Sequence, residues 1–271
     1  MKVSDLHGRS FGVIAGRGLY PEIICKRLLN KGADVFVVTL AGQASAYAFK
    51  ECTGVNRFFA GQINKISRYF LNNGVSSVIM AGGVSRLGIS RYLKPDISAL
   101  RLLVYGLKGD DFFLKRVADL FLKKGITVID PSPYVSDLFA LKGRIAGPDL
   151  SNNLKIELEI AFNYAAEFSK TDRGQTVSVY KGRLWKTEDI RGTDALIADL
   201  PGPGAVTVKT AKKNQDRRFD MPVIGPSTIM IAAKRGVAAI GVEAGSVLIL
   251  DCNKVIYLCD KYNIILTGRH V

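Results

Sequence analysis

The residues that decide the fold are Phe11-Gly12-Val13-Ile14-Ala15-Gly16-Arg17-Gly18-Leu19-Tyr20-Pro21, near the start of the 271-residue chain. Residues 11–15 predict a short buried strand, and residues 22–30 carry apolar side chains at helical spacing. A second, valine-rich strand is predicted at residues 33–40. In such a unit the glycine turn lies at the N-terminus of the helix, where backbone N–H groups bind anions. The stretch therefore predicts an α/β fold with a parallel sheet.

This turn departs from the dinucleotide-binding pattern Gly-x-Gly-x-x-Gly. Pro21 occupies the position of the third glycine, and no acidic residue ends the second strand to bind a ribose hydroxyl. We therefore expect phosphate or nucleotide contacts through the backbone, and we do not expect NAD. The alternative is a turn that serves only the fold, which would need only one glycine.

A second glycine turn follows the next predicted strand. Residues 62–73 predict an amphipathic helix, and residues 75–81 predict a strand that ends in Gly82-Gly83-Val84-Ser85-Arg86. Because parallel strands end at the same edge of a sheet, the two turns should lie together at the carboxyl edge, where open α/β folds bind ligands.

Two helices and a fourth strand complete the predicted first domain. The helices cover residues 97–107 and 112–124, and the strand covers residues 126–130. Asp110 and Asp111 precede the second of these helices, where a carboxylate can cap free backbone N–H groups. We expect one of the two to act only as this cap.

A segment with several prolines and glycines separates two predicted domains. Residues 1–131 form a Rossmann-like α/β domain, residues 132–150 a linker, and residues 151–271 a mixed α/β domain. The second domain begins with a predicted helix at residues 153–169 and a hairpin at residues 175–188. The other strands and helices are predicted at residues 205–208, 227–235, 237–242, 247–251, 254–262 and 264–267.

The chemically most distinctive stretch is Lys209-Thr210-Ala211-Lys212-Lys213-Asn214-Gln215-Asp216-Arg217-Arg218-Phe219-Asp220. Its density of lysine, arginine and glutamine suits an anionic ligand with oxygen acceptors, such as a diphosphate. The Asp220 carboxylate could hold a divalent metal ion or orient a water molecule. The alternative is a solvated basic loop before a strand.

A second candidate stretch leaves the hairpin at Glu188 and continues to Asp194. Both residues bring carboxylates close to the end of a strand, and Thr193 is a candidate helix N-cap.

The composition excludes several kinds of site. The only histidines, His7 and His270, lie at the ends of the chain, which argues against a His-based triad or a His/Cys zinc site. The four cysteines show no Cys-x-x-Cys spacing, and we predict that all four are reduced. Catalysis would therefore depend on carboxylates, lysines, hydroxyls and a hard metal ion.

The net charge of +14 favours an acidic partner, whether nucleic acid, an anionic membrane or a phosphorylated substrate. The aromatic residues lie mostly at core spacing, so we do not expect nucleic-acid binding. The sequence has no apolar run that would span a bilayer and no secretory signal, which predicts a cytoplasmic protein.

Several of these stretches resemble, in the same order, the LpxI-type UDP-2,3-diacylglucosamine diphosphatases of lipid A biosynthesis. The resemblance covers nearly the whole chain and is most specific in Asp220-x-Pro222-x-Ile224-Gly225 and the basic residues before it. The other matching segments are Ile14-Ala15-Gly16-x-Gly18-x-x-Pro21, Ala81-Gly82-x-Val84-Ser85-Arg86, Lys108-Gly109-Asp110-Asp111, Gly192-Thr193-Asp194-Ala195 and Glu243-Ala244-Gly245.

The resemblance implies a two-lobed α/β enzyme with its active site between the lobes. It implies Mg²⁺-assisted attack of water on the α-phosphorus of UDP-2,3-diacylglucosamine, which gives UMP and 2,3-diacylglucosamine 1-phosphate (lipid X). Asp220 corresponds to the family's essential aspartate, and Asp220 and Asp194 are the expected metal ligands. The expected substrate-binding residues are Gly16, Gly18, Leu19, Tyr20, Gly82, Arg86, Asp110, Thr193, Asp194, Lys209, Lys212, Gln215 and Arg218.

The sequence also departs from the family pattern. Gly83 stands where the family commonly has Asn, and Arg191 stands where an acid often precedes Gly-Thr-Asp. If that acid matters for metal binding, Glu188 or Asp189 would have to replace it.

A lipid-bearing substrate predicts peripheral association with the cytoplasmic face of the inner membrane, helped by the basic charge. The alternative function is a non-enzymatic nucleotide-sugar sensor, which would not need a carboxylate at the position of Asp220. The sequence leaves open whether two copies of the chain form a homodimer.

Overall fold

The computed structural model describes residues 5–83, 110–171 and 173–271, without the side chains of Asp110 and Asp111. The predicted helix at residues 97–107 and the candidate residue Arg86 lie outside the described residues. Contacts divide the chain into two compact units. The first comprises Met1–Ser136 with Asp216–Asp220, and the second comprises Asp137–Gln215 with Met221–Val271.

The described part of the first unit contains a five-stranded parallel sheet with the order β3-β2-β1-β4-β5. Its strands are β1 (Ser10–Ala15), β2 (Asp34–Leu40), β3 (Gly54–Phe58), β4 (Ser77–Ala81) and β5 (Thr127–Val128). The helices of this unit are α1 (Tyr20–Leu29), α2 (Ile63–Asn72) and α3 (Asp110–Leu122).

The burial of the first sheet explains which strands the sequence could predict. Val13, Val37 and Val78 in three neighbouring strands are fully buried, as expected for a parallel sheet covered on both faces. The sequence missed β3 because this edge strand carries the exposed residues Asn56 and Arg57 and lacks an apolar pattern.

The second unit contains a six-stranded mixed sheet with the order β6-β13-β11-β9-β7-β8. Strands β9, β11 and β13 run parallel, whereas β6, β7 and β8 pair antiparallel to their neighbours. The strands are β6 (Gly143–Ala146), β7 (Thr176–Tyr180), β8 (Arg183–Thr187), β9 (Val206–Lys209), β11 (Ala239–Glu243) and β13 (Ile265–Arg269), with a separate pair β10 (Val223–Ile224) and β12 (Leu248–Ile249).

Helices cover the second sheet. They are α4 (Asn152–Ser169), α5 (Thr193–Ala198), α6 (Pro226–Lys234) and α7 (Cys252–Tyr262). Phe162 of α4 packs with Val208 in one buried cluster, and Ile229 of α6 packs with Ile240 and Val255 in another. The α/β class with one parallel and one mixed sheet is confirmed.

Two details differ from the sequence-based boundaries. β6 lies inside the predicted linker, and contacts join residues 132–136 to the first unit and residues 137–150 to the second. Helix α3 begins at Asp110, so Asp110 and Asp111 lie within its first turn instead of before it. Among the described residues, no helix has the length and apolar character needed to cross a membrane.

Candidate active site

The two glycine turns of the first unit lie against each other, as predicted. The N–H of Gly16 donates to the Ala81 oxygen (2.8 Å), and the N–H of Arg17 donates to the Gly83 oxygen (2.7 Å). A Cβ atom on Gly16 would lie 2.6 Å from the Gly83 oxygen, and one on Gly82 would lie 2.6 Å from the Arg17 oxygen. The close approach of the two backbones therefore requires both Gly16 and Gly82 for structural reasons.

The remaining part of the first turn is open. Gly18 has a φ of +94°, and a Cβ added to it would meet no atom of the described residues within 4 Å. Leu19 precedes α1 and makes no side-chain cap. Within the described residues, no acceptor contacts the N–H groups of Gly18, Leu19 and Tyr20. These three donors at a helix N-terminus fit the predicted backbone contact with a phosphate.

Tyr20 is a different kind of candidate from its neighbours. Its side chain is buried, and its hydroxyl has no hydrogen-bond partner among the described residues. Burial and the nearby carboxylate of Asp130 raise the pKa of Tyr20. The phenol therefore stays neutral and retains an unused donor inside the first unit.

In the second unit, one face of β7 and β9 carries buried hydroxyl groups. Ser178 and Thr207 lie opposite each other, with their hydroxyl oxygens 2.9 Å apart. Thr176 and Lys209 form the next pair toward the carboxyl end of β9. A sheet face covered by protein is normally apolar, so this polar stripe requires a specific explanation.

Lys209 lies at the end of this stripe with only 6% of its surface exposed. Its Nζ donates to Thr193 Oγ1 at 2.6 Å. Thr193 Oγ1 donates to Glu188 Oε1 at 2.9 Å and lies 2.9 Å from Thr176 Oγ1. A hydroxyl has one proton and two lone pairs, so Thr193 can donate to Glu188 while it accepts from Lys209 and Thr176. The one donor and both acceptor positions of the Thr193 hydroxyl are therefore occupied.

Glu188 and Asp189 both have protein partners. Glu188 Oε2 accepts from the Gln175 N–H at 2.9 Å, which leaves neither of its oxygens unused. The Arg191 guanidinium donates to both oxygens of Asp189 through Nε and to one of them through a terminal nitrogen, and this contact lowers the pKa of Asp189 to about 2. Both carboxylates are thus oriented by hydrogen bonds from the protein, and a role of either one as a metal ligand stays a prediction.

The structure corrects the predicted role of Thr193 as an N-cap. The N-cap of α5 is Gly192, whose φ of +86° favours glycine, and no side chain caps the helix. Thr193 is the first helical residue, and its hydroxyl oxygen accepts a hydrogen bond from Lys209 instead of capping the helix. Next to it, Asp194 Oδ1 accepts from Thr228 Oγ1 at 2.9 Å. Among the described residues, Asp194 Oδ2 has no hydrogen-bond partner.

The basic stretch begins as a tightly held loop after β9. The Ala211 N–H donates to Glu243 Oε2 at 2.8 Å, and Glu243 lies at the end of β11. The Lys212 N–H donates to Gln215 Oε1 at 2.9 Å. The side-chain oxygen of the candidate residue Gln215 therefore closes a turn, which positions the Lys212 backbone.

Arg218 is a paired cation. Its Nε and one terminal nitrogen donate to the two oxygens of Asp216 at 2.9 and 2.7 Å. These hydrogen bonds lower the pKa of Asp216 and raise the pKa of Arg218. The guanidinium also lies 4.9 Å from the centre of the Phe219 ring. Because Asp216 balances the charge of the guanidinium, the Arg218–Asp216 pair offers a substrate less positive charge than the sequence predicted for Arg218.

Asp220 follows this pair and is half-buried. Its N–H donates to the Asp216 oxygen at 3.3 Å, and the neighbouring Phe219 packs against the core of the first unit. Contacts therefore group Asp220 with the first unit, although the sequence predicted it as part of the C-terminal domain. Lys209, Lys212 and Asp194 belong to the second unit.

Sequence reasoning missed two residues that shape this region. Thr176 was predicted only as part of a strand, and its contact with Thr193 depends on strand pairing that no local pattern reveals. Glu243 was noticed only as part of a matching segment, and its contact with Ala211 spans 32 residues of sequence.

Two solved structures match the chain at low sequence identity. The biotin carboxylase domain of 2-oxoglutarate carboxylase from Hydrogenobacter thermophilus is 11% identical, with a TM-score of 0.26 over 64% of this chain. The biotin carboxylase domain of a single-chain bacterial carboxylase is 16% identical, with a TM-score of 0.27 over 66% of this chain. The chain spans 35% and 37% of the lengths of those proteins. Similarity at this level supports no conclusion about function.

Family models and a curated relative give much stronger matches. The model of the LpxI N-terminal domain matches residues 10–138, and the model of the LpxI C-terminal domain matches residues 141–267. UDP-2,3-diacylglucosamine pyrophosphatase LpxI from Caulobacter vibrioides is 31% identical over an alignment of 275 positions, which covers 96% of this chain and 97% of that protein. With both halves matched in order and a relative aligned over nearly its full length, the chain belongs to the LpxI family.

Proposed function

We propose that the chain hydrolyses the diphosphate of UDP-2,3-diacylglucosamine to UMP and lipid X. The relative from Caulobacter vibrioides carries that substrate in its name. The structural observation that carries the proposal is Lys209, a buried ammonium whose one protein partner among the described residues is a neutral hydroxyl. A buried cation without an ion-pair partner attracts an anionic phosphate strongly. No observation favours the sensor alternative.

The reaction requires water to form a bond to the α-phosphorus while the bond from that phosphorus to the bridging oxygen breaks. The water oxygen then belongs to UMP, and lipid X leaves with the bridging oxygen on its phosphate. Lys209 and Lys212 are the cations that we assign to the diphosphate, where positive charge stabilises the negative charge that develops on the phosphate oxygens. We assign Asp220 to the attacking water, whose proton a carboxylate can accept.

We further propose that Mg²⁺ assists this reaction. Among the described residues, no three acidic, histidine or cysteine side chains are grouped as a complete metal site. Mg²⁺ usually binds one or two carboxylates and completes its shell with water and substrate phosphates, so a small protein ligand set fits this ion. The unused Asp194 Oδ2 and the Asp220 carboxylate are the candidate ligands. When bound, the ion would neutralise charge on the diphosphate.

The test is UMP release from UDP-2,3-diacylglucosamine by the purified protein in ¹⁸O-labelled water. We expect release that EDTA stops and that added Mg²⁺ restores, with the label in the phosphate of UMP. Label in lipid X would mean that water attacks the β-phosphorus. Binding without any release would contradict the hydrolase and support the sensor.

The lipid-bearing substrate also leads us to propose a peripheral, electrostatic contact with an anionic membrane. The net charge of +14 would attract such a surface, and salt screens attraction of this kind. We expect the protein to float with vesicles that contain phosphatidylglycerol and to lose most of this binding between about 0.1 and about 0.5 M NaCl. Vesicles of phosphatidylcholine alone are the control. Binding that does not change with salt would disprove the electrostatic contact.

A further inference from the structure

We propose that Thr193 and Glu188 are positioning residues that hold the Lys209 ammonium ready for a phosphate oxygen of the substrate. The inference rests on the proposed function and extends it, because it assigns roles to a hydroxyl and a carboxylate that do not themselves contact the reacting atoms. It also gives a role to Thr176 and Lys209, the last pair of the buried polar stripe on β7 and β9.

The ammonium of Lys209 has unused hydrogen-bonding capacity. An ammonium carries three donors, and one of them is directed to Thr193 Oγ1. Within the described residues, the other two have no acceptor. A buried donor without an acceptor costs free energy, so the folded protein keeps two strong donors that a ligand oxygen would satisfy.

Thr193 is well suited to hold a flexible side chain. The lysine stem has several rotatable bonds, whereas threonine is branched at Cβ and has a restricted χ1 angle. The hydroxyl of Thr193 is held on one side by Glu188 and on the other by Thr176. Glu188 is itself held by the backbone N–H of Gln175. The ammonium is therefore anchored through a chain of short hydrogen bonds.

The position of Glu188 keeps the cation available. Thr193 Oγ1 donates its hydrogen bond to Glu188, so the lone pairs of the hydroxyl are directed toward Lys209. No carboxylate of the described residues lies within ion-pair distance of Lys209, because the hydroxyl stands between the ammonium and Glu188. A direct ion pair would neutralise the ammonium. The interposed hydroxyl orients the charge and leaves it for a phosphate.

The first test compares Thr193→Val with Thr193→Ser and with Thr207→Val. We expect Thr193→Val to lower kcat/KM for UMP release by roughly 10- to 100-fold. This factor corresponds to the usual free energy of a hydrogen bond to a charged group. Thr193→Ser restores the hydroxyl and should recover most of this loss. Thr207→Val removes another buried hydroxyl, from β9, that does not contact Lys209, so it should change kcat/KM less than about twofold.

The second test is a double-mutant cycle with Lys209→Met, measured as kcat/KM and as affinity for inorganic diphosphate by calorimetry. If Thr193 acts through Lys209, adding Thr193→Val to Lys209→Met should change either quantity less than about twofold. The proposal would be overturned if the fold-losses of the two single variants multiplied in the double variant. It would also be overturned if Thr193→Val and Thr207→Val lowered kcat/KM equally. A wild-type protein that releases no UMP would refute the proposed function, while the diphosphate cycle would still decide the positioning role.

Discussion

Asp220→Asn is expected to reduce UMP release from UDP-2,3-diacylglucosamine by roughly a thousandfold or more. Asparagine has nearly the same size as aspartate, but it has no negative charge to bind Mg²⁺ and accepts a water proton poorly. Loss of a group that acts on the reacting atoms costs more than loss of a single hydrogen bond, hence the expected size of the effect. The measurement is the initial rate of UMP release at saturating Mg²⁺.

The same substitution should leave the fold intact. The backbone N–H of Asp220 donates to the Asp216 backbone oxygen, and Phe219 and the pair Asp216–Arg218 fix the segment before it. The unfolding temperature of Asp220→Asn should therefore match that of the wild type. Asp149→Asn is the control, because the Asp149 carboxylate is 97% exposed and its one partner in the described part of the chain is Arg144, in a surface ion pair. An Asp220→Asn protein that retained a tenth of the wild-type rate would rule out the assigned role.

Lys209→Met is expected to lower kcat/KM by about 100-fold without lowering the free energy of unfolding. Methionine matches the length of the lysine stem and removes only the charged end. The ammonium is buried and has no ion-pair partner among the described residues, so its removal breaks one hydrogen bond and relieves the desolvation of a charge. Residues that serve function at the expense of stability behave in this way.

Urea unfolding of the variant beside Val208→Ala provides the comparison. Val208 precedes Lys209 in the same strand and is fully buried in an apolar cluster. Its truncation should cost about 2 kcal/mol, the usual penalty for a cavity in a core. If Lys209→Met destabilised the protein as much as Val208→Ala does, Lys209 would be part of the structure instead of the binding machinery.

In the first unit, the sequence predicted the position of the glycine turns but not the role of each glycine. The order of strand, glycine and helix around Gly16 predicted the parallel sheet and the meeting of the two turns, and both are confirmed. The sequence left open whether the glycines serve the fold or a ligand. The structure separates them. Gly16 and Gly82 are required by the approach of the two backbones, whereas no described residue lies within 4 Å of a Cβ atom at Gly18.

In the second unit the sequence identified Lys209, Thr193 and Glu188 as separate candidates, but it assigned their contacts incompletely. Thr193 was expected to cap a helix, and the hydrogen bond between Thr193 and Glu188 was not predicted. Their actual arrangement depends on the pairing of β7 with β9 and on the start of α5 beside that pair.

The sequence by itself determined the α/β class, most of the helices and strands, and the residue types of the site. These properties follow from local patterns, because apolar periodicity and glycine positions act within one or two elements. Only the tertiary structure decided which polar groups are already used by the protein. Thr193 and Lys209 are 16 residues apart, and Ala211 and Glu243 are 32 apart. A hydrogen bond over such a separation forms only after the chain has folded, and it then decides which donors and acceptors remain for a substrate.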